Sequence, residues 1–225
     1  MLYYDQRLLI AAIIAWLALF SYSSTAQAQT SLQSSDCPAA TGVFGRPLDY
    51  TDSTSRESRS EYGPGKTYLS IVENVHFTGE IETLLKGNTS TDPLGDILYT
   101  LNAFPNHHRA LWAASRLQFK QGKPLKPTAE CLLERAIRFK PLDAVVHTIY
   151  GAHLHKSGKI NEAIQQYQIA EKINPNWSEL QYNMGLLYLE IKQYAQAKQH
   201  AQRAYQLGYP LPGLRNKLKQ VGQWP

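Results

Sequence analysis

Cysteine is scarce in this chain: 225 residues contain two, Cys37 and Cys131. No Cys-x-x-Cys pair exists to hold zinc or exchange thiols, and no Cys-x-x-Cys-His exists to attach haem. A Gly-x-Ser-x-Gly nucleophile elbow is missing, as is a His-Glu-x-x-His helix. Gly65-Lys66-Thr67 has the tail of a phosphate-binding loop, but Ser60 stands where that loop needs its first glycine. His153 and His155 lie two residues apart, which on a helix turns them about 200° from one another and prevents joint chelation. His107-His108, beside Asn106, reads as surface capping or a structural contact at a helix start. The acid pairs Glu80/Glu82 and Glu130/Glu134 read as solvated first-turn residues favoured by the helix dipole. No catalytic residue, cofactor or metal site is therefore expected.

Charge of one sign is not in large excess either. Lysine and arginine total 23 against 18 acids, a net of +5, which permits acidic partners without demanding them. Long apolar runs are missing after the first twenty residues, so a permease or channel is not expected. The single run, Leu8 to Phe20, follows Arg7 and precedes Ala26-Gln27-Ala28. Thirteen residues give about 20 Å of helix, short of the ~30 Å hydrocarbon core. A positive end, an apolar stretch and a small-x-small site together predict a signal peptide over 1–28, with a retained anchor as the alternative. Ser34-Ser35-Asp36 ahead of Cys37 argues against a lipid anchor. The expected location is periplasmic or extracellular, with no membrane span after removal of the signal. In an oxidising compartment Cys37 and Cys131 are expected to form one disulfide, two unpaired thiols being the alternative.

What is present is turn-forming sequence first, then helical periodicity. Residues 29–91 are expected to be largely irregular, because Gly, Pro, Ser and Thr crowd stretches such as Thr51-Asp52-Ser53-Thr54-Ser55. Leu69 to Phe77 reads as one extended strand. Thr78 reads as an N-cap for a helix carrying Ile81, Leu84 and Leu85, stopped by Gly87. Asp92-Pro93 is a cleaner helix start, followed by Ile97, Leu98 and Leu101 and closed by Pro105 near Phe104.

From there the chain repeats. Gly151 and Gly185 are 34 residues apart; Ala163 and Ala197 follow each by twelve, and Ala170 and Ala204 by a further seven. Pro175 ends the first unit and Gly208-Tyr209-Pro210 the second. Small residues at such spacing let antiparallel helices approach closely, with Leu154 and Tyr167 as the bulky fill between them.

These residues resemble the tetratricopeptide-repeat family over 144–177 and 178–211. A degenerate unit covers about 108–143, where Ala129, Leu133, Ala136 and Pro141 match a second helix and Pro124-Leu125 reads as an insertion. His147 and Gln181 replace the usual early tryptophan, and Ala201 the usual aromatic. Residues 212–220 read as a polar capping helix. The resemblance implies an all-α superhelix, an α-solenoid, over 92–225.

It also implies a concave channel lined by the first helix of each pair. Carried over, that channel holds Val145, Thr148, Ala152 and His155, then Glu179, Tyr182, Leu186 and Leu189. In the degenerate unit the counterparts are Arg109, Trp112, Arg116 and Phe119. Thr148 and Ala152 stand where a carboxylate clamp needs lysine and asparagine, so chaperone-tail binding is not expected. The Arg–Trp–Arg–Phe run either grips an acidic or aromatic peptide or stacks nucleic-acid bases, or else Trp112 and Phe119 pack inward while the arginines snorkel to water. The expected function is a scaffold or adaptor binding a protein or peptide in the cell envelope. The alternatives are binding of nucleic acid or another polyanion, and a self-assembling homo-oligomeric subunit.

Overall fold

The computed structural model describes residues 37–59 and 65–224. The chain divides into two units, Met1–Cys37 and Pro38–Pro225, and the expected signal peptide lies outside the described residues. Within the second unit the regular elements are eleven helices, with no strand among the described residues beyond a single Arg59–Thr67 bridge. The first four are α1 (Ser53–Glu57), α2 (Tyr68–His76), α3 (Gly79–Glu82) and α4 (Leu94–Ala103). Three antiparallel pairs follow: α5 (His108–Gln121) with α6 (Ala129–Phe139), α7 (Ala144–Lys156) with α8 (Ile160–Ile173), and α9 (Ser178–Glu190) with α10 (Tyr194–Gln206). Helix α11 (Gly213–Gln220) packs on both α9 and α10.

The stretch expected as a strand is helix α2. Thr67 and Ser70 form a reciprocal capping box, Thr67 Oγ1 accepting from Ser70 N at 3.0 Å and Ser70 Oγ from Thr67 N at 2.9 Å. With two N-terminal donors satisfied, Leu69 and Val72 turn one face into a small core with Leu48, Ala103 and Phe104. Helix α3 stops after one turn rather than at Gly87. Leu84 takes φ +61°, and Leu85 is 73% exposed, so the apolar spacing there never becomes a helix face.

Helix α5 starts at His108, because Asn106 and His107 are wholly buried and differently employed. Asn106 Nδ2 donates to Asp49 Oδ1 at 2.8 Å and Asp143 Oδ2 at 3.2 Å, while its Oδ1 accepts from Tyr50 N at 2.9 Å. Lys140 adds an ion pair to Asp49 at 2.7 Å. Burial opposes ionisation of Asp49, yet Lys140, Asn106 and Thr51 hold its carboxyl well below the usual range. That cluster, with Leu48 N donating to Ala103 O at 2.8 Å, docks residues 48–50 against the repeats.

The repeat glycines mark where a side chain has no room. A Cβ on Gly151 would lie 2.6 Å from the Tyr167 ring. On Gly185 it would lie 2.5 Å from Leu214 Cδ2 and 3.4 Å from Ala197 O and Ala201 N. Ala201 is the position equivalent to Tyr167, 34 residues on. Its short side chain leaves a hole, and Leu214 of α11 fills it: Ala197, Ala201, Leu214 and Leu218 form a fully buried cluster. The turns inside the pairs also correspond. Gly158 sits at φ +77°, and Lys192, 34 residues later, takes φ +60°, a conformation that costs a side-chain-bearing residue about 1 kcal/mol. Both cysteines are disulfide-bonded and none is free among the described residues.

Gly185→Leu should overpack this contact and cost roughly 1–3 kcal/mol. A thermal melt should fall by several degrees; an unchanged melting temperature would show that α9, α10 and α11 do not meet at this glycine.

Candidate functional site

A groove of about 300 Å³ runs along the first helices of the three pairs. Helix α5 contributes Arg109 and Trp112, and α7 contributes Val145, Thr148, Ile149 and Ala152 at the i, i+3, i+4, i+7 spacing of one helix face. Trp177, Glu179 and Asn183 complete the wall from α9 and the turn before it. A second hollow of about 410 Å³ shares Ala152 and Asn183 and continues past His155, Tyr167 and Leu186. There His155 Nε2 lies 3.0 Å from Glu190 Oε2, linking α7 to α9. Thr148 spends its hydroxyl on Ala144 O at 2.9 Å, so it presents a methyl group to the groove. The side chains of Glu179 and Asn183 make no hydrogen bond or ion pair among the described residues.

The arginines expected to make a basic groove end already have partners, and Glu82, the partner of Arg109, lines the groove beside it. Arg109 forms a forked ion pair with Glu82, Nε donating to Oε1 at 2.8 Å and Nη2 to Oε2, and reaches Glu73 Oε1 at 3.4 Å. Its hydrogen bond to Glu82 holds that carboxyl below the usual range and raises the guanidinium further. Arg116 Nη2 donates to the Glu82 carbonyl and Lys120 Nζ to Leu84 O at 2.7 Å, which satisfies free carbonyls at the end of α3. His107, buried between Glu73, Tyr50 and Phe77, accepts from Ala110 N on Nδ1, so Nε2 carries the proton offered to Glu73 at 3.2 Å. Burial holds this imidazole neutral by pushing its pKa down. Glu82 is therefore an ion-pair partner rather than a solvated first-turn acid.

Trp112 does the reverse of packing inward: it is 43% exposed, on the groove wall. Phe119 is half-buried, 5.0 Å from the His153 ring, with Lys156 Nζ 4.4 Å from its centroid. At the other end, Tyr182 stacks on Tyr209 at 4.1 Å and packs with Leu186 and Leu189 against the cluster holding α11. Of these three, Leu186 also lines the hollow; Tyr182 and Leu189 serve the capping helix. Sequence reading missed Ile149, Trp177 and Asn183. The first follows from the one-face spacing with Val145 and Ala152, and Trp177 from standing just before α9, where its ring can reach over the first turn.

The glutamates of α6 also have partners. His153 is fully buried, its Nδ1 2.9 Å from Ser115 Oγ and its Nε2 3.2 Å from Glu130 Oε1, an ion-pair contact without hydrogen-bond alignment. Ser, His and Glu thus stand in a row. Ser115 is 1% exposed and lines neither hollow, so the row braces α5, α6 and α7. Glu134 accepts from Tyr150 Oη at 2.9 Å.

Residues 151–192 match the family described as TPR repeat. That stretch is tetratricopeptide-repeat sequence. Among solved structures, one titled for the functional characterization of Pseudomonas aeruginosa pilF is similar at 21% identity and a TM-score of 0.47. That match spans 58% of this chain and 61% of the other, less than two thirds of its length. No curated protein sequence matches the chain. The matched residues cover the end of α7, α8 and α9.

The His153 imidazole, against the opposing cost of burial, holds the Glu130 carboxyl down to about 2, from an ordinary 4.5. A depressed acid stabilises the fold above its unfolded pKa and loses that contribution as pH falls through the folded one. Stability should therefore decline between about pH 4.5 and pH 2. Glu130→Gln should flatten that part of a denaturation-versus-pH curve while lowering stability at neutral pH; an unaltered acid slope would remove this role.

Proposed function

We propose that this protein is an exported tetratricopeptide-repeat scaffold that holds an extended segment of a protein partner along the α5–α7–α9 groove. Tetratricopeptide repeats are interaction modules, and the reading beyond that rests on one observation. Trp112 is exposed beside an apolar stretch of Val145, Ile149, Ala152 and Trp177, with the paired Arg109 and Glu82 at one end of the groove and the Glu179 and Asn183 side chains unengaged beside it. Large aromatic side chains are the usual anchors of protein interfaces, and an amide can pair with both backbone groups of an extended chain. The reading of a basic end for nucleic acid loses its support, since Glu82 and Glu73 already neutralise Arg109.

Trp112→Ala should weaken capture of the partner tenfold or more, in line with about 2 kcal/mol for an interface anchor, with little change in the melt. Arg109→Ala should instead lower stability, because it removes the forked ion pair that holds Glu82. If Trp112→Ala captures its partner normally, the groove reading fails.

Export rests on the Arg7, apolar run and Ala26-x-Ala28 order, and a Cys37–Cys131 bridge is consistent with an oxidising compartment. Intact-mass measurement of the native protein should find a start at Gln29 and no reactive thiol after unfolding without reductant. An intact Met1, or two titratable thiols, would overturn this part.

A further inference from the structure

Away from the groove, a hollow of about 260 Å³ opens between the stretch that runs from Ala40 to Pro47, Pro105 after α4, and the outer face of α6. Its walls are Ala40, Pro47, Pro105 and Phe139, and its polar groups are Arg135 and Arg138. Arg135 is only 7% exposed. Nη1 donates to Asn102 Oδ1 at 3.1 Å and Nη2 to Leu101 O at 3.0 Å, while Nε is buried with no partner. No carboxylate faces this guanidinium. Burial, and beside it the like charge of Arg138, push its pKa down to about 10. Arg138 has a contact of its own, so Arg135 carries the argument.

Burying a charge without a counter-charge is costly unless something compensates it. Two neutral acceptors at the end of α4 compensate part; the helix C-terminus is favourable for a cation, and that alone would be a structural use. It leaves unexplained why a hollow lined by a second guanidinium opens beside the charge. We propose that this hollow binds a small carboxylate with an apolar body, the carboxylate against Arg135 and the body against Phe139, Pro47 and Pro105. The volume exceeds what an oxyanion needs, a single water requiring roughly 10–15 Å³ on the same measure, and the excess is walled by carbon. The guanidinium fork matches a carboxylate or a phosphate, but a phosphate dianion would leave the carbon walls uncovered, whereas the apolar body of a carboxylic acid fills them.

The test follows the side-chain Nε–H resonance of Arg135 in the full chain during titration with sodium propionate and sodium benzoate at constant ionic strength. Arg135→Gln assigns the resonance. Both acids should shift it saturably; propionamide and chloride should not, and phosphate should bind at least tenfold more weakly. Ala40→Leu should fill the hollow and abolish the response, without lowering the melting temperature. No saturable response to either acid, an equal response in Ala40→Leu, or phosphate binding as tight as propionate would overturn the assignment.

Discussion

Two helices can touch along their backbones only where one of them lacks a side chain, and the repeats are organised around that vacancy. At Gly151 the space is filled by Tyr167 from the second helix of the same pair. At Gly185 the equivalent aromatic is missing, because the position is Ala201, and Leu214 enters from the next helix instead. The same hole is thus closed from within the repeat in one unit and from outside it in the next. A tyrosine at 201 would complete the second pair by itself and leave no seat for α11; alanine makes α11 part of the pair's core. It also has a consequence for the groove. Once α11 is seated, Tyr209 and Gly213 come up against Tyr182, and the apolar end of the first-helix face is covered by the chain itself.

A second constraint is polar and repeats with the same period. Where the family's early tryptophan is missing, His147 lies 2.7 Å from Gln166 and 3.0 Å from Pro141 O. In the next unit His200 Nδ1 donates to Gln181 Oε1 at 2.7 Å, and Gln181 reaches Pro175 O at 3.4 Å. Histidine and glutamine have exchanged places, yet the geometry is kept: one group on the first helix, one on the second nineteen residues later, and the proline carbonyl of the preceding turn. A tryptophan would fill this site by area alone. Here a hydrogen-bonded pair fills it, and burial lowers the pKa of His200. Polar groups in a core are tolerable when each has a partner, and losing either member would strand the other.

Helical periodicity made the repeat region legible: the glycine–alanine spacing and Pro175 recur at fixed intervals along the chain. The N-terminal part was less so. Leu69 to Phe77 has a composition that suits a strand, and what decides for helix is a two-residue hydrogen-bond exchange between Thr67 and Ser70, a weak signal beside the turn-rich sequence around it. Asn106, too, looks like an ordinary polar residue near a helix start. Its importance comes from Asp49 and Asp143, 57 and 37 residues away, which no local pattern connects. Long-range polar pairing is where reading the chain one window at a time fails.

The candidate site shows the same limit in a sharper form. From the sequence, Arg109 and Arg116 look like free cations and Trp112 like a residue at risk of being core. The structure reverses the two, and the cause is α3. That single turn buries only Ile81 and is further held by what α5 gives it: a forked ion pair to Glu82, and donors to the Glu82 and Leu84 carbonyls. Two arginines and Lys120 are thereby committed to a neighbouring element. Trp112, on the same helix, points past that neighbour toward α7 and α9 and remains uncovered. A charged residue is available to a partner only if its own chain offers no opposite charge within reach, which is a property of the fold. An aromatic ring on the groove wall needs no such condition: Trp112 is 43% exposed, and no other described segment is laid across it.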